Sequence, residues 1–333
     1  ESIGHQGGLA GLRLEVDGEP LVWLATDGVP WIVGGEQRAL ALARALVARG
    51  HAVSIFTTKL GAGAPRVDQA GVAWYAASNL DAMTLLHDWD VFVSLRMPHV
   101  FERAIHAKYR VLWNQDLMTG GIAKAQVMSV GWAYDAIAYV SQYHRRQWET
   151  LIPELAPIGW VTKNGYDPSL VPADVVKRPH QIIHVSRPER ALRPLLAMWP
   201  ELRRQMPEAT LALCRYNSMY DAGGWGKVCA SYDRAVAEVN AQTGGITWLG
   251  ELGKPALYQA IAESAVMWYP GVADFAETSC LAAVEAQACG TPFVGSWKGA
   301  LPETVPSGVL VRGNADTDPD YQAQSLASVI GLL

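Results

Sequence analysis

At 333 residues and a formal net charge of −5, the chain is long enough for two domains, each with a full hydrophobic core. Half of its residues are hydrophobic, yet no run reaches the ~18 apolar residues of a membrane span, and the mild acidity argues against nucleic acid as a partner. The four cysteines, Cys214, Cys229, Cys280 and Cys289, lack zinc-ligand spacing and read as buried thiols in a reducing cytoplasm. No secretory signal pattern opens the sequence, so a cytoplasmic protein is expected.

Residues 1–20 are Gly-rich and carry no period. Leu21–Thr26 is the first convincing strand. A loop over Asp27–Gly35 leads to a helix over Glu36–Arg49, where Leu40, Ala43, Leu46 and Val47 share one face. Gly50 and His51 end it, and Ala52–Thr57 is the next apolar strand. Gly34 and Gly35 at the helix start let backbone N–H groups approach a phosphate, although Gly-Gly ahead of a helix is also an ordinary turn. The dinucleotide fingerprint, which needs a third spaced glycine, is absent.

Short apolar runs continue at Val72–Ala76, Val91–Leu95, Val111–Trp113 and Ile137–Ser141, with helical segments between them. This alternation predicts a doubly wound parallel sheet. Asp88 and Asp90 lead into the strand VFVSL, and Asp316–Asp320 reads as a solvated turn; neither is taken as a metal site. Gln115 and Asp116 follow a strand, at the end where open α/β sheets place ligands. His144, Arg145 and Arg146 lie on a helix after Ser141, either on a ligand-facing side or on a solvated one. Asp167–His180 is Pro-rich and charged, which sets the domain boundary and divides the chain into residues 1–168 and 169–333. Strands follow at Gln181–Ser186, Leu211–Cys214, Thr247–Gly250 and Val266–Pro270, with a long insertion at Asn217–Gly245 that carries one helix over Lys227–Gln242.

The most informative stretch is Asp274–Phe293, DFAETSCLAAVEAQACGTPF. Thr278 and Ser279 are good N-cap residues, and Leu281, Val284 and Ala288 recur at helical spacing. Gly290-Thr291-Pro292 ends the helix, and Phe293 opens a buried strand. Glu277 then stands just ahead of a helix N-terminus and Glu285 about two turns inside it, one carboxylate on either side of an anion-binding helix end. A ligand with a phosphate in its middle and hydroxyls at both ends fits that arrangement, as a nucleotide-sugar does. Taken singly, Glu277 reads as a dipole-stabilising acid and Glu285 as a solvated helix residue. The apolar or small neighbours Val284, Ala286, Ala288 and Cys289 weigh against the second, because a carboxylate among them needs a partner.

Glu-x7-Glu followed by Ala-x-Ala-x-Gly-Thr-Pro resembles the donor-site signature of family-4 retaining glycosyltransferases of the GT-B fold. GGEQR and ARGH around the first helix, SQYHRRQW at Ser141–Trp148 and NGYD at Asn164–Asp167 resemble further segments of that family in the same order. So do Gly250-Glu251-Leu252, whose family counterpart meets the nucleobase through its backbone, and the closing turn GALPE at Gly299–Glu303. Relatives often carry a His-Asp pair where this chain has Gln115-Asp116; glutamine does not titrate, so contact with an acceptor hydroxyl falls to Asp116. Arg187 matches the family arginine that grips the donor diphosphate. Arg193, six residues on, matches its lysine partner by spacing, and Arg190 is a rival for the role.

The resemblance implies two Rossmann-like doubly wound domains facing each other across a cleft, with the donor on the second and the acceptor on the first. It implies sugar transfer with retention from a UDP- or GDP-sugar to a saccharide, lipid-linked or small-molecule hydroxyl, without a cofactor and generally without a metal. Peripheral contact with a membrane is compatible with it. Arg187, Arg193 and the helix start at Thr278, Ser279, Cys280 and Leu281 would neutralise the leaving diphosphate. Glu277 would hold sugar hydroxyls and Glu285 the ribose diol. The competing readings are a catalytically silent sugar-nucleotide-binding subunit, another GT-B reaction such as an epimerase or phosphorylase, and a Rossmann oxidoreductase, whose glycine fingerprint is missing.

Overall fold

The computed structural model describes residues 21–26, 35–57, 60, 65–118, 124–131, 133–214 and 226–333, with only the backbone given for residues 21–26, 35–38, 124–125 and 226–227. The Gly-rich opening, Gly34 and residues 217–225 of the insertion lie outside the described residues. The chain divides into two compact units, Glu1–Asn164 and Gly165–Leu333.

The first unit runs β1 (Leu21–Thr26), α1 (Gly35–Val47), β2 (Ala52–Thr57), β3 (Arg66–Val67), β4 (Ala73–Ala76), α2 (Leu80–Leu86), β5 (Trp89–Leu95), β6 (Ala107–Trp113), α3 (Lys124–Ser129), β7 (Ala136–Tyr139), α4 (Gln142–Leu151) and β8 (Gly159–Val161). Its strands lie in the order β3-β4-β2-β1-β5-β6-β7-β8, parallel except for the β3–β4 pair. The short β3 and β8 escape a reading by apolar runs, because two or three residues show no period. Asp90 lies within β5 rather than ahead of it, buried and paired with Lys108 of β6 at 2.7 Å.

The second unit runs β9 (Arg178–His184), α5 (Pro188–Gln205), β10 (Thr210–Cys214), α6 (Gly226–Thr243), β11 (Ile246–Gly250), α7 (Lys254–Glu263), β12 (Ser264–Tyr269), α8 (Leu281–Ala288), β13 (Phe293–Ser296), α9 (Leu301–Thr304), β14 (Val309–Val311) and α10 (Pro319–Ile330). The order β11-β10-β9-β12-β13-β14 is parallel throughout. Both faces are covered, which is why these strands read as unbroken apolar runs. Val266 and Trp268 point into one cluster with Trp199, Leu202 and Tyr321, while Met267 and Tyr269 point into the other with Ile261, Ala283 and Ala286. The strand order reverses between β9 and β12, so the loops leaving these two strands flank the switch point, where sheets of this kind bind ligands.

Two histidines are buried as neutral rings. His184 of β9 shares a 3.1 Å hydrogen bond with the Trp268 carbonyl, and His144 of α4 lies against Tyr139 and Trp148. Burial pushes each down from the ordinary 6.5 to about 4. The unfolded chain therefore takes up these protons first. Their stabilisation is full above about pH 6.5 and is lost as pH falls toward 4, at up to ~1.4 kcal/mol per pH unit for each ring. The urea midpoint should drop between pH 7 and pH 5, and drop less in His184→Gln; equal slopes would contradict the assignment.

Candidate functional site

The segment after β12 carries Glu277, and its backbone is tied down from three sides. Val272 N–H donates to the Arg190 carbonyl at 2.9 Å, and Ala273 N–H to Asp316 Oδ2 at 3.1 Å. The Lys298 ammonium donates to the Val272 carbonyl at 3.0 Å and also to that of Ala273. Ala300 N–H donates to the Glu277 carbonyl at 2.8 Å. Gly299, at φ 58°, lies so close that a Cβ there would sit 2.7 Å from the Glu277 carbonyl oxygen.

The side chain of Glu277 is 6 % exposed. Its Oε1 accepts from the Tyr269 hydroxyl at 2.6 Å and from Arg190 Nη1 at 3.1 Å. The Arg190 guanidinium also lies 4.7 Å from the centre of the Phe275 ring, a cation–π contact. Burial, reinforced by the Glu277 charge, holds the Tyr269 phenol far above its usual range, so it stays a donor. No described residue is seen donating to Oε2, and a carboxylate has acceptor capacity for about four hydrogen bonds.

Glu285 is 5 % exposed and finds the partner that its apolar neighbours demand. The Lys254 ammonium, at the first residue of α7, reaches Glu285 Oε1 across the packed α7–α8 pair. The first turn of α8 lies between the two carboxylates in the chain. The helix opens at Cys280 rather than at Thr278 or Ser279, with no side-chain cap, and Glu285 stands in its second turn. Cys280 is buried with Ala283 and Ala286, and this packing outweighs the capping preference of the residues before it. Ser279 is buried and Thr278 half-buried. Leu281, half-buried, begins the helix.

The arginines after β9 separate in role. Arg187 caps α5 and lies 2.5 Å from Glu189. Arg193, more than half exposed, forks onto Asp316 at 2.8 and 2.9 Å, and that pairing lowers the Asp316 carboxyl below its ordinary range. Asp316 also holds Ala273, so Arg193 braces the Glu277 segment through it. Arg187 and Arg193 are thus each paired with a carboxylate. Gly250 ends β11 at φ 74°, and Glu251 and Leu252 lead to Gly253, the N-cap of α7. The backbone of the Gly250–Gly253 segment therefore runs directly into Lys254.

In the first unit, Asp116 follows β6 and pairs with Arg96, which follows β5, at 2.9 Å. Arg96 adopts φ 65°, a conformation that a non-glycine residue takes only when its surroundings enforce it. Asn114 Oδ1 accepts from the backbone N–H of Gln115 at 2.9 Å and of Asp116 at 3.4 Å. His144 does not face a ligand: its Nδ1 accepts from Val140 N–H, so its Nε2–H donates to the Asp116 carbonyl at 2.9 Å, joined there by Trp148 Nε1–H at 3.0 Å. Arg145 is occupied by Glu149 and the Ala156 carbonyl, while Arg146 is exposed. Gly35 opens α1.

Sequence reasoning missed Tyr269, Lys254 and Arg96. Tyr269 and Lys254 each approach a signature glutamate from another element, and only the demand of a buried carboxylate for a donor announced them. Among the described residues, no three His, Cys, Asp or Glu side chains gather in a metal-ligand cluster. No helix among them is long and apolar enough to cross a membrane.

Residues 179–330 match the family model described as glycosyl transferases group 1. The whole chain resembles an α,α-trehalose-phosphate synthase (UDP-forming) from Burkholderia vietnamiensis, with a TM-score of 0.72, 12 % identity, and coverage of 95 % of this chain and 92 % of that one. The fold is GT-B. HepE from Anabaena, solved in complex with UDP-glucose, shares it with a TM-score of 0.65, 14 % identity and 94 % coverage of both chains. A sucrose-phosphate synthase from Thermosynechococcus elongatus does so with a TM-score of 0.64, 16 % identity and 94 % coverage of both. A search of curated protein sequences finds no match.

Proposed function

We propose that this GT-B protein is a retaining glycosyltransferase that moves a hexosyl group from a UDP- or GDP-sugar to a hydroxyl of a saccharide, lipid-linked or small-molecule acceptor. The observation that carries the reading is the pair of buried carboxylates, Glu277 and Glu285, on either side of the α8 start, each held by protein donors at Oε1. The group 1 match over residues 179–330 supports it, since that stretch contains both glutamates and all three arginines. The GT-B neighbour bound to UDP-glucose supports a nucleotide-sugar donor.

In this reading Glu285 receives the ribose diol and Glu277 the sugar hydroxyls. The backbone N–H groups at Ser279, Cys280 and Leu281, together with Arg187, Arg190 and Arg193, oppose the charge that gathers on the diphosphate as the glycosidic bond breaks. The departing phosphate takes the proton of the acceptor hydroxyl on the same face of the sugar, so configuration is retained. Asp116, fixed by Arg96 and its turn, meets the acceptor hydroxyl.

Thermal-shift measurements with UDP, GDP, ADP and dTDP, then with their sugars, test the donor assignment. A ligand at 100-fold its Kd should add ~2.7 kcal/mol of stability, and no shift with any of them would overturn the reading. We also propose that the fixed cations of the chain neutralise the diphosphate without a metal. Transfer should persist in EDTA; complete loss restored by Mn2+ or Mg2+ would overturn this.

A further inference from the structure

Resting on the nucleotide-sugar reading, we propose that Lys254 is a positioning residue that sets the preference of this site for a ribose carrying both hydroxyls. Glu285 is almost entirely buried, yet its one described partner is the Lys254 ammonium at Oε1. A carboxylate with capacity for about four hydrogen bonds, committed at one oxygen, is left to receive a donor pair at the other. Vicinal hydroxyls are such a pair.

Lys254 is itself held in place. It occupies the first turn of α7, directly after the Gly250–Gly253 segment, and its ammonium lies 5.8 Å from the centre of the Tyr258 ring. Tyr258 is buried, so that surface is fixed. Locked on one side by a helix start and on the other by an aromatic face, Lys254 fixes which oxygen of Glu285 the protein claims and which the ligand receives. It also links the nucleobase segment to the ribose carboxylate through a single side chain, so base and ribose are read by one connected unit.

The test is the ratio of two affinities. Calorimetry on the wild type, with whichever of UDP, GDP or ADP binds, is compared with the 2′,3′-dideoxy form of the same nucleotide. The wild type should prefer the diol by roughly 10–100-fold, the range for hydrogen bonds to a charged group. Lys254→Met should bring the ratio to within about threefold, and Lys254→Arg, which restores a cationic donor, should recover most of it. A general loss of stability would weaken both nucleotides together and leave the ratio intact, which would overturn the proposal. So would a wild type that binds nucleotide without preferring the diol. Should Lys254→Met fail to fold, Lys254→Gln keeps a neutral donor and must still lower the ratio at least threefold; an unchanged ratio overturns the proposal. If the wild type binds none of the three nucleotides, the glycosyltransferase reading itself falls, and this inference with it.

Discussion

Glu277→Gln should lower the kcat of sugar transfer by roughly 10²–10³-fold, the usual scale for removing one preorganised electrostatic contact to a transition state. The amide keeps the volume of the side chain and an oxygen for the Tyr269 hydroxyl, so the change removes charge more than shape. Arg190 loses its ion-pair partner, but its side chain is 29 % exposed and water can take over. The effect should therefore fall on turnover rather than on folding. Contacts from Glu277 to the sugar would tighten as positive charge develops at the anomeric carbon, which is why kcat should respond more than KM. Steady-state kinetics on a protein with an unchanged melting temperature decides it. A loss of less than about threefold would remove Glu277 from the sugar.

Gly299→Ala should destabilise the second unit by about 2–5 kcal/mol and disable the site with it. One part is the left-handed backbone, ~1–2 kcal/mol for a residue with a Cβ. The other is overpacking, ~1–3 kcal/mol, because the new Cβ meets the backbone oxygen and nitrogen of Glu277 at 2.7 and 3.0 Å, and backbone atoms cannot swing aside as a side chain can. Relief would come at the expense of the Ala300–Glu277 hydrogen bond, which holds the carboxylate segment. Gly290 provides the control: it has φ 65°, and a Cβ there would meet nothing within 4 Å, so Gly290→Ala should show the backbone part alone. Urea unfolding of both variants separates the two contributions. Equal losses would mean that the packing of Gly299 does not fix Glu277.

Much of this architecture was legible in the sequence because parallel strands covered on both faces read as apolar runs, and β9, β10 and β12 each appeared within a few residues of their observed bounds. The signature glutamates were legible for a different reason. Glu285 lies in a segment too apolar to solvate it, and a carboxylate so placed must be answered from elsewhere in the fold. What answers it was not legible: Lys254 and Tyr269 reach the carboxylates from α7 and β12, and their approach depends on helix and strand packing rather than on local spacing. The partner of Arg193 was not legible either: Asp316, which follows β14 far along the chain, meets it on α5. The helix start moved for an energetic reason, since burying Cys280 against Ala283 and Ala286 outweighed the capping preference of Thr278 and Ser279.

Calorimetry with UDP and UDP-glucose on Glu277→Ala and Glu285→Ala shows whether the two carboxylates read different parts of one ligand. GDP and GDP-mannose replace them if the wild type prefers guanine. Glu285→Ala should weaken the bare nucleotide by roughly 10–100-fold, because a charged acceptor to hydroxyls contributes ~1.5–3 kcal/mol. Glu277→Ala should leave the bare nucleotide within about threefold of wild type and erase the additional affinity of the nucleotide-sugar. If Glu277→Ala weakens the bare nucleotide as much as Glu285→Ala does, or if neither variant changes any of the four affinities, the two carboxylates do not divide a nucleotide-sugar between them.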